Sequence, residues 1–497
     1  MDKLLYKSTR GLENDISASY AIVKGLAEDG GLYVPSYIPK MEKTMTELSE
    51  MSYQDIAYEV MSLYYQDFTE EELRACIHQA YDHKFDTEAI APTLKVGDVY
   101  MLELFHGSTI AFKDMALSIL PYLMKTAAKK LGMEKEIVIL TATSGDTGKA
   151  ALAGFADVEN TKIIVFYPKD GVSPIQKKQM VTQKGDNTFV VGIEGNFDDA
   201  QNGVKRIFSD AAFNNELESG GFQFSSANSI NIGRLIPQVA YYFYTYATLV
   251  KQEEIIDGET INVTVPTGNF GNILAAYYAK EMGLPLGKLI CASNDNKVLF
   301  DFIRTGKYDR KRPFILTMSP SMDILISSNL ERLIYEIAGA DGKTTKDLME
   351  HLTAKGFYEV TDQMKSNLSE FYGNYASQLE TQKTIKKVFE KNHYLMDPHT
   401  AVGYAVYEKY VEESGDATKT VIVSTASPYK FTKSTMVSLD EAYDEIDDFE
   451  LIERMQEKSG IKIPNAIDEI LQASVRHTTI CKHDEMEDVI KKFLQIN

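Results

Sequence analysis

The sequence predicts an α/β fold, an open and mostly parallel sheet interleaved with helices, and three observations predict it. From Glu136 onward, short β-branched runs recur: "EIVILTA", "TKIIVFYP", "TFVVGIEG", "TINVTVP", "GKLICAS" and "TVIVSTA". Amphipathic stretches of roughly one to two dozen residues separate them, the spacing of parallel strands joined by helical crossovers. The 497 residues are 44% apolar, enough to bury sizeable cores, and a chain of this length divides into roughly two to four domains. In open sheets of this kind ligands sit beyond the carboxyl ends of the strands, so the loops after these runs are where chemistry is expected.

The elements follow in order. Up to about Val96 the chain reads as a mainly helical first domain (1–96). Its "MTELSEMSYQDIAYEVMSLYY" repeats apolar residues at three and four, and the Gly-Gly of "EDGGLYVPSYIP" sets this apart from the opening segment. The first three runs fall in a first α/β domain (97–248), the last three in a second (249–436). Within the second, a helical insertion is expected near 344–391, where "TKDLMEHLTAKG" and "TQKTIKKVFEKN" carry charge on one face and apolar residues on the other. The acidic "SLDEAYDEIDDFELIERM" and the helix at "DEMEDVIKKFL" read as a helical tail (437–497), the charge run being a solvated helix face.

Composition removes several classes of function. Seventy-two acidic against 52 basic residues give a net charge of −20, which repels nucleic acid and anionic membranes, so neither is expected as a partner. Cys76, Cys291 and Cys481 lack CxxC spacing and suggest neither disulfides nor zinc, which fits a reducing cytoplasm. The histidine pairs His393 and His399, and His477 and His483, have no supporting ligand cluster, so no metal is expected. No apolar run approaches the roughly 20 residues that span a bilayer. The opening "MDKLLYKSTRGLEND" turns polar too early for a secretory signal, and a soluble, cytoplasmic protein is expected.

Three stretches carry chemistry. In "VTVPTGNFGNILAAYYAK" a strand ends at Pro266, a Gly/Asn loop follows, and a helix begins near Gly271. Glycines let backbone amides approach an anion, and the helix N-terminus adds partial positive charge, an arrangement suited to a phosphate monoester. In "LELFHGSTIAFKDMALSIL", Lys113 follows Ile110, Ala111 and Phe112, with Asp114 expected to N-cap the next helix. Desolvation near a helix start disfavours the ammonium and frees the amine for a Schiff base. The third, "LTATSGDTGKAAL", looks like a P-loop, but Thr143 stands where the first Gly belongs and Ala150 follows Lys149. Its Ser144, Thr147 and amides at a helix N-terminus suit a carboxylate better than a nucleotide.

Taken together, "HGSTIAFKD", "TSGDTG", "SSANSINIGRLIPQ", "PTGNFGN" and "STASPYKF" occur in the order and approximate spacing of the threonine synthases. The opening "YKSTRG" and "GLAEDGGLYVP" also resemble that family, so the resemblance covers nearly the whole chain. It implies a pyridoxal-phosphate enzyme of the tryptophan-synthase-β fold, fold type II: two open, mostly parallel sheets flanked by helices. It implies that Lys113 forms the Schiff base and moves protons, and that Gly268, Asn269, Phe270, Gly271 and Asn272 hold the phosphate of pyridoxal 5'-phosphate. Asp146 falls where relatives often place an asparagine near the 3-hydroxyl, and Thr425 matches the partner of the pyridine nitrogen. Thr143, Ser144 and Thr147 would bind the substrate carboxylate, while Asn228, Ser229 and Arg234 would grip the phosphate of O-phospho-L-homoserine. The implied reaction is β,γ-replacement yielding L-threonine and phosphate, by a monomer or homodimer. The family usually shows Pro where Ser108 stands, and His and Ala where Ser427 and Tyr429 stand; Lys430 is a further candidate phosphate ligand. One rival reading is a dehydratase or cysteine-synthase-like lyase of the same fold, which would leave Arg234 unexplained. The other is a P-loop-like ATPase or a non-catalytic phosphate-binding homologue.

Overall fold

A computed structural model describes residues 3–143, 145–170 and 172–496. Its strands, in chain order, are β1 (Tyr6–Ser8), β2 (Tyr33–Pro35), β3 (Thr93–Val96), β4 (Val99–Glu103), β5 (Glu136–Ala142), β6 (Thr161–Pro168), β7 (Thr188–Glu194), β8 (Phe222–Ser225), β9 (Ile261–Pro266), β10 (Leu286–Ser293), β11 (Lys307–Asp309), β12 (Phe357–Glu359), β13 (Phe371–Tyr375), β14 (Thr420–Ser424) and β15 (Thr479–Lys482). All six β-branched runs are strands. They form two sheets, one ordered β15-β7-β6-β5-β8 and the other β13-β10-β9-β14-β4-β3. The first is parallel throughout; in the second only β3 runs antiparallel, against β4. Helices cover both, so the central strands are buried on both faces, and Ile137, Val138, Ile139 and Leu140 are all in the core.

Four helices, Ala18–Lys24, Met45–Ser49, Tyr53–Tyr64 and Glu70–Ala80, make residues before 96 mainly helical. The first three are started by Ser17, Thr44 and Ser52, whose hydroxyls accept first-turn amides. The same region adds the antiparallel pair β1–β2. The helix Ile232–Lys251 is buried along most of its length and tolerates Pro237 in its interior. Asn231 caps it, its Oδ1 accepting the Gly233 amide at 2.8 Å.

Four strands depart from the sequence reading. Strands β3 and β4 precede β5 in the chain yet complete the sheet of β9, β10 and β14. Within 344–391 the chain is not only helical: β13, "FYGNY", forms an edge of the second sheet, its Gly and Asn hiding the apolar run that marks a strand. In the tail, β15 pairs with the edge of β7 over Val191–Glu194, so the tail is not purely helical; four residues buried only at Cys481 give too little pattern to read. Among the described residues no helix is long and apolar enough to cross a membrane.

Candidate active site

Lys113 lies on a turn that is zipped to the segment after β14. Leu104 donates its amide to Ser424 O, Phe112 to Thr425 O at 2.8 Å, and Ser427 to Ile110 O at 3.0 Å. Buried Thr425 is thereby fixed beside Lys113, although the two are distant in sequence. Ile110 takes a left-handed φ of 52°, and a Cβ on Gly107 would stand 2.6 Å from Asp114 Cβ, so the turn needs glycine there. Asp114 is not the N-cap expected from sequence but the first residue of the helix Asp114–Leu117. Its carboxylate closes back on the turn, accepting Thr109 N at 2.8 Å and Thr109 Oγ1 at 2.6 Å.

The Lys113 side chain is buried, its Nζ 4.9 Å from the Phe112 ring centroid, 3.4 Å from Ser321 Oγ and 3.5 Å from Asp146 Oδ2. Burial lowers its pKa, and nearby Lys430 and Arg234 add to that, against the opposing pull of Asp146. Asp146 opens the helix Asp146–Phe155. Its Oδ1 accepts Gln176 Nε2 at 2.7 Å and lies 3.4 Å from Lys430 Nζ, and its Oδ2 accepts Ser321 Oγ at 2.6 Å. Burial alone would raise this carboxyl, but Lys430 and Lys113, with the Ser321 hydroxyl, outweigh it and hold it well below the usual carboxylate range.

The residues expected to bind the substrate carboxylate stand in different surroundings. Thr143 Oγ1 accepts the amides of Gly145 at 3.0 Å and Gly148 at 2.9 Å, so it shapes the loop and keeps its O–H as a donor. Thr147 is half-buried in the first helical turn; Ser144 lies outside the described residues. Lys149, at the P-loop position, bonds Gln183 Oε1, and burial pushes its pKa down to about 8.

The Gly/Asn loop runs from β9 into the helix Gly271–Glu281. Phe270 caps that helix with a φ of 64° and no side-chain hydrogen bond, leaving first-turn amides for an anion. A Cβ on Gly268 would stand 2.5 Å from Ser321 O, so this loop too needs glycine for close approach. Asn269 is exposed, its carbonyl held by the Asn329 amide and by Asn329 Nδ2 at 3.0 Å. The Asn272 side chain is turned to Tyr241 and Tyr242, which donate to its Oδ1, while its Nδ2 is buried without a partner.

Arg234 is buried rather than on the surface. Its Nη1 donates to Ala227 O at 3.1 Å, its Nε has no partner, and it makes no ion pair among the described residues. Burial pushes its pKa down to about 10. Asn228 is exposed, with Oδ1 3.5 Å from Thr141 Oγ1, and Ser229 is half-buried. Lys430 is fully buried, donating to Thr109 O at 2.8 Å, on the Asp146 side of the site rather than on the Gly/Asn loop. Tyr429 points elsewhere, its hydroxyl on Ile461 O.

Sequence reasoning missed Ser321, Gln176, Asn329 and Arg332. Only Gln176 had a local signal, the Ser173-Pro174 helix start that places it in the first turn. The site thus gathers Lys113, Lys430 and Arg234 around one ionised carboxylate, Asp146, in a chain whose net charge is −20. Such a basic, desolvated pocket next to a glycine loop suits phosphate dianions.

Residues 5–81 match the family described as threonine synthase N terminus, 85–426 the pyridoxal-phosphate dependent enzyme family, and 400–489 the threonine synthase C-terminal family. The threonine synthase of Saccharomyces cerevisiae is 37% identical over 458 residues, covering 86% of this chain and 87% of its own. Threonine synthase-like 1 of Homo sapiens is 39% identical over 86% of this chain, which spans 59% of that longer protein. The crystal structure of pyridoxal-phosphate-bound threonine synthase from Brucella melitensis superposes with a TM-score of 0.87 at 34% identity, covering 99% of this chain and 100% of that one.

Proposed function

The chain belongs to the threonine synthase family of pyridoxal-phosphate-dependent enzymes, and from that premise we propose that it converts O-phospho-L-homoserine and water into L-threonine and phosphate. The observation that carries the choice of substrate is Arg234, a buried guanidinium with an unpartnered Nε and, among the described residues, no carboxylate paired with it. A substrate without a phosphate would leave that charge buried and uncompensated, a costly arrangement.

The residues fit the cofactor. The loop 268–272 offers a close-approach glycine and uncapped helix amides for a phosphate. Lys113 offers an amine whose pKa burial lowers, which favours the neutral form a Schiff base needs. Pyridoxal phosphate, bound there, supplies an electron sink that acidifies the hydrogens on the substrate's α- and β-carbons. Lys113 would take the α-proton and then the β-proton, and would return protons at the γ-carbon and, after water has added, at the α-carbon. Asp146, braced by Gln176, Ser321 and Lys430, would face the ring's 3-hydroxyl and orient it by accepting its hydrogen bond. Thr425 offers the ring nitrogen a neutral hydroxyl, which restrains the strength of the sink. Thr143, Ser144 and Thr147 take the substrate carboxylate, and Arg234 with Asn228 and Ser229 takes the phosphate, which leaves with the γ-carbon–oxygen bond. Water then adds at the β-carbon.

The experiment is to incubate the purified chain with O-phospho-L-homoserine and measure phosphate, threonine and 2-oxobutyrate together. Equal phosphate and threonine support the reading; phosphate accompanied by 2-oxobutyrate assigns the chain to a lyase instead.

A further inference from the structure

Ser321 belongs to none of the motifs behind that reading, yet its side chain touches both Lys113 and Asp146. Its Oγ donates to Asp146 Oδ2 at 2.6 Å and lies 3.4 Å from Lys113 Nζ, while Lys113 Nζ stays 3.5 Å from the same carboxylate oxygen. A charge-assisted N–H···O bond closes to roughly 2.7–2.9 Å. The hydroxyl–carboxylate contact is therefore tight and the amine–carboxylate contact slack.

The loop is built to hold this position. Asp323 gathers Asn294 Nδ2 at 2.8 Å, Asn296 Nδ2 at 3.0 Å and the Thr317 amide at 2.9 Å. The Ser321 amide donates to His399 Nε2 at 3.1 Å, and His399 Nδ1 faces Asp397 Oδ2. On its other side the Ser321 carbonyl rests against Gly268.

We propose that Ser321 is a positioning residue: its hydroxyl occupies Asp146 and keeps the carboxylate off the Lys113 amine, so that the amine stays free to attack a carbonyl carbon. The inference rests on the role given to Lys113 above. In that step Nζ joins the aldehyde carbon and water leaves, and only the neutral amine is nucleophilic. The charges facing Lys113 are Asp146, Lys430 and Arg234, from three different elements. His399 also faces Asp146, and Asp114 and Lys149 face Lys430. Of these, Asp146 is the one acting directly on Lys113 to favour the ammonium.

Ser321→Ala frees Asp146 Oδ2 to close on Nζ, which stabilises the ammonium and raises the amine's pKa. The neutral fraction below that pKa then falls by about tenfold for each unit of rise. The measurement is the rate of Schiff-base absorbance when pyridoxal 5'-phosphate is added to the cofactor-free full chain, from about pH 6 to about pH 10. Ser321→Ala is expected to be slow at neutral pH and to meet the wild-type rate at the alkaline end. Ser321→Thr, which keeps the hydroxyl, is expected to restore the wild-type curve, and thermal melting of each variant tracks folding separately. A rate lowered by the same factor at every pH, or an unchanged curve, would overturn the inference. Borohydride reduction and peptide mapping separate it from the reading beneath: a label on another lysine removes both, whereas a label on Lys113 with an unshifted curve removes only the role of Ser321.

Discussion

Replacing Arg234 tests the substrate assignment most directly. A guanidinium has five N–H donors. Here one Nη1 donor is spent on Ala227 O and the Nε donor is buried with no partner, so the group is held in place with donors to spare. Charge-assisted bonds to a phosphate are worth roughly 1.5–3 kcal/mol each. Losing one or two of them lowers kcat/KM by about tenfold to about ten-thousandfold, since each ~1.4 kcal/mol is a factor of ten. Lysine restores only part, because a point charge does not reproduce the planar fork. The assay is kcat/KM for O-phospho-L-homoserine in Arg234→Ala and Arg234→Lys, beside cofactor occupancy, melting temperature and the slow reaction of a substrate without phosphate. The alanine variant should lose the first reaction and keep the second. Equal loss of both, or of neither, refutes the reasoning, and Arg234 then does not read the substrate phosphate.

The Schiff base should map to Lys113 after borohydride reduction, and a label on Lys149 or Lys430 would contradict the assignment. Thr425→Asp should retain cofactor yet raise the share of 2-oxobutyrate, because an aspartate favours a protonated ring nitrogen and a stronger sink; an unchanged product ratio would exclude Thr425 as the ring partner. His106 predicts a pH dependence of stability. Burial alone would lower its pKa, but Asp86 at 2.6 Å and Glu103 at 2.9 Å outweigh that and push it up to about 9. Its contribution is therefore full below the unfolded value of about 6.5 and is lost as pH rises through the folded value. His106→Gln should lower the melting temperature at about pH 6 and by much less at about pH 10, and an equal drop at both would refute the pairing.

What was legible in the sequence follows from where the information lies. Strands such as β5 and β6 are buried on both faces, so they are apolar throughout and visible in the sequence. Strand β13 carries Gly373 and Asn374 at a sheet edge, and β15 borrows its register from β7, so neither shows a pattern of its own. The turn that presents Lys113 and the loop 268–272 are local devices whose glycines and helix starts can be read directly. Asp114 was misplaced by one position, because a carboxylate that closes back on Thr109 looks from sequence like one that caps forward. Ser321, Arg332 and Asn329 act mainly through contacts between segments far apart in the chain, from 60 residues for Asn329 with Asn269 to 299 for Arg332 with Tyr33, and no local pattern encodes those.

Arg332 shows how far such contacts bind the site together. It is completely buried, and its guanidinium donates Nε to Tyr33 O at 2.9 Å, Nη2 to Ile230 O at 2.6 Å and Nη1 to Asn329 Oδ1. Asn329 in turn holds the Asn269 carbonyl of the Gly/Asn loop. One side chain thus ties the N-terminal region to the segment of Asn228 and Ser229 and to the loop assigned to the cofactor phosphate. The neighbouring Glu331 fastens the same region again, accepting Arg10 Nε and Nη2 at 2.9 Å each and Thr9 Oγ1 at 2.7 Å. Glu331 is paired with Arg10 and faces Arg332 only through space, so the hydrogen bonds of Arg332 go to carbonyl and amide oxygens alone. The mainly helical N-terminal region is therefore tied into the framework of segments 228–230 and 268–272, through the Tyr33 carbonyl on Arg332 and through Arg10 on Glu331.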